Sequence, residues 1–252
     1  MDKLKVLLQK LGIELTADQT KQITEVIEKE FVPAADVAAN KTKLDELDNP
    51  DFRVNQRGQN EYSTGYTVDR WYISTDKCKA APETNGIRLT ATATLTSNTH
   101  AFWQNIEFPL APGKYTLSLK AADVTGVWAA RIRTVTAAGD YVDSYYTPRL
   151  QAGINSVTVD LSDSEYISAV SIGFNKGNEA GNSLKLAWAK LEGGSLATPF
   201  VPPDYAAELA KCQRFYQVRT TNDIDPLDLR PSMRTITDIK AVEGGYAYVA
   251  EL

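Results

Sequence analysis

The chain has 252 residues, of which 43% are hydrophobic and 9% aromatic; that is enough apolar material for a folded core and too much for a disordered chain. A net charge of −5, a pI near 5.1 and no long basic run argue against nucleic acid as a partner. The only cysteines, Cys78 and Cys212, are far apart without metal or redox spacing, which suits buried thiols in a reducing cytoplasm, and no cofactor is expected.

Residues 1–48 read as helical. "MDKLKVLLQKLGIEL" sets Leu4, Leu7, Leu8 and Leu11 on one face, and Gly12 supplies a stop. Lys and Asp interrupt the apolar positions, so the expectation is neither a signal-peptide core nor a membrane span. Thr16 and Gln19 form a capping box, each able to satisfy an exposed N–H of the other, before a helix carrying Ile23, Val26, Ile27 and Phe31. Pro33 suits the first turn of a third helix, whose stripe is Val37, Leu44 and Leu47 with a polar interruption at Asn40 or Lys41. Short helices are marginal alone, so these stripes pack on each other, on the β domain, or on a partner. The sharper reading is that Leu4, Leu7, Leu8, Leu11, Ile23, Val26 and Ile27 dock on a partner and that Val37, Leu44 and Leu47 pack on copies of the chain, as a homotrimer if the resemblance described below holds.

From Asp51 the period switches to alternation. Ile87, Leu89 and Ala91 follow the turn dipeptide Asn85-Gly86; Tyr115, Leu117, Leu119 and Ala121 follow Pro112-Gly113. Trp128, Ala130 and Ile132 alternate with Ala129, Arg131 and Arg133. Val157 and Val159, then Val170, Ile172 and Phe174, then Leu184, Leu186 and Trp188 repeat the pattern. Many short strands without crossover helices predict a mainly β protein, with an antiparallel jelly-roll-like sandwich over residues 49–195. Residues 196–252 change texture: a proline-rich segment, then Asp204 capping a helix with Tyr205, Leu209, Cys212 and Tyr216 inward, then terminal strands around Gly244-Gly245.

Catalytic signatures are missing. The single histidine, His100, has no strained Gly-x-Ser-x-Gly turn to serve, and reads as a packed strand residue. Calcium loops are absent, and the chain is expected not to be an enzyme. Aromatic residues lead elsewhere: sugar C–H groups pack on aromatic faces while hydroxyls take polar partners. "AAGDYVDSYYTPR" gathers Tyr141, Asp143, Tyr145, Tyr146 and Arg149 on what reads as a loop, the candidate glycan site, whereas Trp71 and Trp103 read as core anchors.

"NPDFRVNQRGQNEYSTGYTVDRWYI" supplies Asn49, Asp51, Phe52, Asn55, Gln56, Arg57 and Gly58, then Gly65, Tyr66, Thr67, Asp69, Arg70 and Trp71. It resembles a segment that opens β-sandwiches in tailed-phage and prophage virion proteins. "ATPFVPPDYAAELAKCQRFYQ", with Ala197, Thr198, Pro199 and Phe200 before Cys212, Gln213, Arg214, Phe215 and Tyr216, resembles the ending of such sandwiches in phage fibre proteins. The N-terminus, through Glu30 to Leu47, resembles the start of phage capsid scaffolding proteins. The resemblance implies a virion surface protein, made in the host cytoplasm, with a carbohydrate-binding-like sandwich. It implies a capsid-attached head fibre or decoration protein docked on the major capsid protein, or alternatively a tail-fibre or baseplate receptor-binding protein recognising host surface glycans.

Overall fold

The computed structural model describes residues 45–220, 232–234, 238–243 and 245–251. All belong to one unit that begins at Leu44. Leu4, Leu7, Leu8, Leu11, Ile23, Val26, Ile27, Val37 and Leu44 lie outside the described residues.

Two antiparallel sheets face each other across one core. The six-stranded sheet runs in the order β1 (Gly65–Tyr66), β2 (Tyr72–Ile73), β5 (Thr99–Leu110), β10 (Tyr166–Phe174), β7 (Trp128–Val135) and β8 (Tyr141–Tyr146). The five-stranded sheet runs β3 (Cys78–Glu83), β4 (Gly86–Ala91), β11 (Ser183–Gly193), β6 (Lys114–Ala122) and β9 (Gly153–Asp160). The fold class is therefore the jelly-roll-like sandwich that the alternation predicts. Inward positions of both sheets, including Ile87, Leu89, Leu117, Leu119, Ile132, Val170, Ile172 and Phe174, share the buried core. Asn85 and Gly86, both at positive φ, end the tight β3–β4 hairpin. A Cβ on Gly86 would stand 2.1 Å from the Leu186 carbonyl oxygen, so only glycine admits β11 this closely.

Four expectations need correction. Strand β11 does not keep its alternation through Trp188, because a bulge between Leu186 and Trp188 reverses the parity. Ala189 and Leu191 take the inward places, and Trp188 stacks outside on Phe200, with centroids 4.9 Å apart. Leu47 is not on an oligomerising stripe. Residues 46–49 form a bend rather than a helix, and the Leu47 side chain, 1% exposed, belongs to the sandwich core. The segment bearing Tyr141, Tyr145 and Tyr146 is not a loop but the edge strand β8.

The fourth concerns the helix α1 (Tyr205–Gln213), which Asp204 does cap by accepting the Ala207 N–H at 2.9 Å. Its buried positions are Glu208 and Cys212, while Tyr205 is exposed. A carboxylate turns inward because the Asn49 N–H needs an acceptor: Glu208 Oε1 takes it at 2.5 Å. Beyond α1, strands β12 (Tyr216–Thr220), β14 (Gly245–Val249) and β13 (Asp238–Val242) form a three-stranded antiparallel sheet.

That C-terminal module is joined to the sandwich through the segments at residues 49–71 and 197–216. Asn49, fully buried at φ 49°, bonds through its side chain to both Val54 backbone groups and to the Asp69 carbonyl. Its own carbonyl accepts the Trp71 indole N–H at 3.1 Å. Gln56 donates to the Tyr216 carbonyl, and the Arg57 guanidinium lies 3.8 Å over the Tyr216 ring while pairing with Asp69 and Glu251. The first motif is thus a structural joint. Its polar residues are consumed by backbone groups and counter-charges, leaving the ligand question to another surface.

Candidate functional site: the outer face of the six-stranded sheet

Strand register lines up side chains from five strands on the face turned away from the core. Tyr72 is opposite Trp103, Trp103 opposite Ser171, Ser171 opposite Arg131, and Arg131 opposite Tyr146. At about 4.8 Å per strand this row runs roughly 19 Å, the reach of a short oligosaccharide. The neighbouring row contains Asn105, Ala169, Arg133 and Ser144. Small residues, Ala169, Ser171 and Gly173, fill the outward positions of the central strand β10, beneath the long side chains of β5 and β7. Gly173 is part of this: a Cβ there would come within 2.3 Å of the Thr99 carbonyl oxygen, and its absence lets β5 bring His100 down onto the face.

The centre of the row is a packed cluster. The Arg131 guanidinium lies 4.2 Å over the Trp103 ring, and its Nε donates to Ser171 Oγ at 3.1 Å. Tyr72 stacks on Trp103 from the β2 side, with centroids 6.3 Å apart and planes 15° apart. His100 meets Trp103 edge-on at 5.8 Å, and its Nε2 stands 3.4 Å from Tyr146 Oη. Burial, with the Arg131 charge beside it, pushes the His100 pKa down to about 4, so the ring is neutral at ordinary pH. Tyr146 is 47% exposed and Tyr141 58%, the latter packed near Arg133 at 5.7 Å. The result is a face with exposed aromatic rings at the β8 edge and a fixed floor of aromatic and guanidinium groups.

The sequence-predicted glycan residues divide between two surfaces. Tyr141 and Tyr146 are on this face. Tyr145, by strand alternation, points the other way, packs against the core and donates to Glu165 Oε1 at 3.0 Å. Burial and this bond to a carboxylate raise its pKa to about 12. Asp143 lies beside Tyr145 rather than with Tyr146, accepting the Ser144 N–H at 2.7 Å. Arg149 lies elsewhere, donating to the Gly126 carbonyl at 2.7 Å. Trp71 is the core anchor expected of it, stacked on Phe102 at 4.8 Å, but Trp103 is half-exposed on the face. Tyr72, His100, Trp103, Arg131 and Arg133 were missed as a group. Arg131 and Arg133 stand at outward positions of an alternating strand, a usable signal, but nothing in the sequence gives the register that aligns them with Trp103.

Among the described residues, no group of His, Cys, Asp and Glu could hold a metal ion, and no helix is long and apolar enough to cross a membrane.

No family model matches the chain, and no curated protein sequence matches it. Solved structures similar to it include the CBM22-1 and GH10 modules of an endo-1,4-β-D-xylanase from Clostridium thermocellum complexed with xylohexaose. There the identity is 10% and the TM-score 0.38, over 57% of this chain and only 29% of the xylanase chain. A low-affinity xylan-binding module, CBM86, from Roseburia intestinalis aligns at 11% identity and TM-score 0.35, over 50% of this chain and 91% of the module. A family 29 carbohydrate-binding module from Piromyces equi aligns at 11% identity and TM-score 0.36, over 52% of this chain and 87% of the module.

Proposed function

We propose that the chain is a non-catalytic phage virion protein whose sandwich binds glycans on the outer face of the six-stranded sheet. The observation carrying the binding role is the aligned row Tyr72, Trp103, Ser171, Arg131 and Tyr146. Aromatic rings offer faces to sugar C–H groups, while Asn105, Ser144 and the arginines offer polar groups to hydroxyls. The virion role rests on the two sequence motifs at residues 49–71 and 197–216. In this reading the residues before the sandwich attach it to a capsid as a head fibre or decoration protein. Assembly as a homotrimer would let weak single sites act together.

The binding role is tested on an array of bacterial surface glycans, followed by calorimetry on Trp103→Ala and Tyr146→Ala. At least tenfold weaker binding in both is expected; undiminished binding in both removes this face from the proposal. The virion role is tested by the chain's abundance in purified heads and purified tails. Absence from both would end it, and presence on tails alone would favour the tail-fibre alternative.

A further inference from the structure

Building on the glycan-binding reading above, we infer that the ligand of this face carries a carboxylate: the site fits an acidic glycan containing uronic-acid-type sugars. The reasoning starts from Arg131, which is only 7% exposed. Its Nε is used by Ser171, and its Nη1 reaches Ser144 Oγ only at 3.5 Å. Its Nη2 is shut from solvent and has no hydrogen-bond partner among the described residues. A buried guanidinium N–H without an acceptor is costly, and such groups are normally paired in folded proteins.

Arg133, one row away on the same strand face, donates to Ser168 Oγ at 3.0 Å and is half-exposed. Neither arginine has an ion pair among the described residues, although acidic residues outnumber basic ones in the chain and Arg57 and Arg70 both have carboxylate partners. Two uncompensated cations therefore occupy one face of an otherwise acidic protein. The Tyr146 phenol, 47% exposed, stands 3.4 Å from His100 Nε2 and interacts with Arg131 at the edge strand. In this inference the ligand displaces the exposed Tyr146 phenol to reach Nη2. A planar carboxylate matches a guanidinium fork in geometry as well as charge, which a neutral hydroxyl does not.

The test uses the full chain and a panel of hexasaccharides. It contains galacturonate, glucuronate and mannuronate oligomers, their carboxyl-reduced counterparts, neutral xylohexaose and cellohexaose, and a sulfated oligosaccharide. The expected result is binding to at least one carboxylated member, weakened tenfold or more by carboxyl reduction. Arg133→Gln, a half-exposed position that should not disturb folding, is expected to abolish the preference for the carboxylated form. Arg131→Lys, with its fold checked by thermal melting, should do the same, since an ammonium cannot form the fork. Equal binding of carboxylated and reduced forms would overturn the inference while leaving glycan binding intact. Equal binding of the sulfated oligosaccharide would overturn it in favour of general attraction of anions. Binding to no member of the panel, together with a blank glycan array, would overturn both readings.

Discussion

The Arg70 guanidinium lies 3.5 Å above the ring of Phe215. Arg70 belongs to the motif at residues 49–71 and Phe215 to the one at residues 197–216. Around the stacked pair, Arg70 Nε donates to Asp48 at 2.9 Å and its Nη2 to the Asn105 carbonyl, while Glu251 stands 3.6 Å from Nη1. The Arg70 side chain is 1% exposed, so its charge is stabilised only by these partners. Two stretches that look like separate sequence motifs are the two halves of one joint.

Because the joint is desolvated, breaking either half should be severe. Phe215→Ala is expected to cost about 3–5 kcal/mol, and Arg70→Ala a similar amount by removing the Phe215 stacking and the partner of Asp48. Urea denaturation measures both. The double variant should lose less than the sum of the singles, with a coupling of about 1 kcal/mol or more. Additive losses would show that the stacking geometry contributes nothing beyond burial.

Neighbouring tyrosines on β8 should separate stability from binding. Tyr145→Phe removes the hydrogen bond to Glu165 and should lower stability by about 1 kcal/mol, leaving glycan affinity unchanged. Tyr146→Ala should weaken glycan binding with little effect on the melting temperature, since its ring is 47% exposed. Calorimetry and thermal denaturation on the same two preparations check the contrast, and a reversal would place the site on the opposite side of the strand.

Asp45 gives the fold an unusual pH dependence. Its Oδ1 accepts the N–H groups of Leu47 and Leu191, but Oδ2 is buried with no partner among the described residues. Burial raises its pKa to about 8, outweighing those two bonds and the nearby Lys190. The folded state therefore holds the proton more tightly than the unfolded chain, so this contribution is complete below about pH 4 and is lost as pH rises through 8. The slope can reach about 1.4 kcal/mol per pH unit. Asp69, raised by burial to about 6, adds a similar slope at lower pH. Stability measured between pH 6 and 8 isolates Asp45: the parent should decline there and Asp45→Asn should stay level.

A truncation series should locate the start of the sandwich. Removing residues 1–43 should leave its melting temperature unchanged. Removing 1–47 also deletes Leu47 from the core and the Glu46 N–H bond to the Leu191 carbonyl at 2.9 Å. A loss of about 3 kcal/mol or more is expected, a fall of roughly 5–15 °C. Equal melting temperatures for the two truncations would mean that residues 44–47 are dispensable.

Alternation was sufficient to read the sandwich, because each inward residue announces itself two positions from the next. Trp188 shows the limit. A single bulge reverses the face without any change in composition, so Leu184, Leu186 and Trp188 look continuous and are not. The same limit hid the binding face. Tyr145 and Tyr146 are adjacent in sequence but on opposite sides of a strand, while Trp103 and Tyr146 are joined by register across β10 and β7. Glu208 failed for another reason: a buried carboxylate makes sense only once the Asn49 N–H it satisfies is in view.

The ion pair between Arg57 and Glu251 joins residues 194 positions apart in sequence. Loop-closure entropy grows only slowly over such a distance, but the search that closes it is slow, since long-range contacts form late in folding. A sandwich that has already collapsed must therefore wait for the C-terminal sheet before Arg57 and Arg70 lose their water. During refolding the strands should gain hydrogen-exchange protection first and the motif segment around Asn49 and Arg70 last. A nascent chain on the ribosome would pass through the same order, carrying two hydrated arginines at a surface later sealed by residues that had not yet been made.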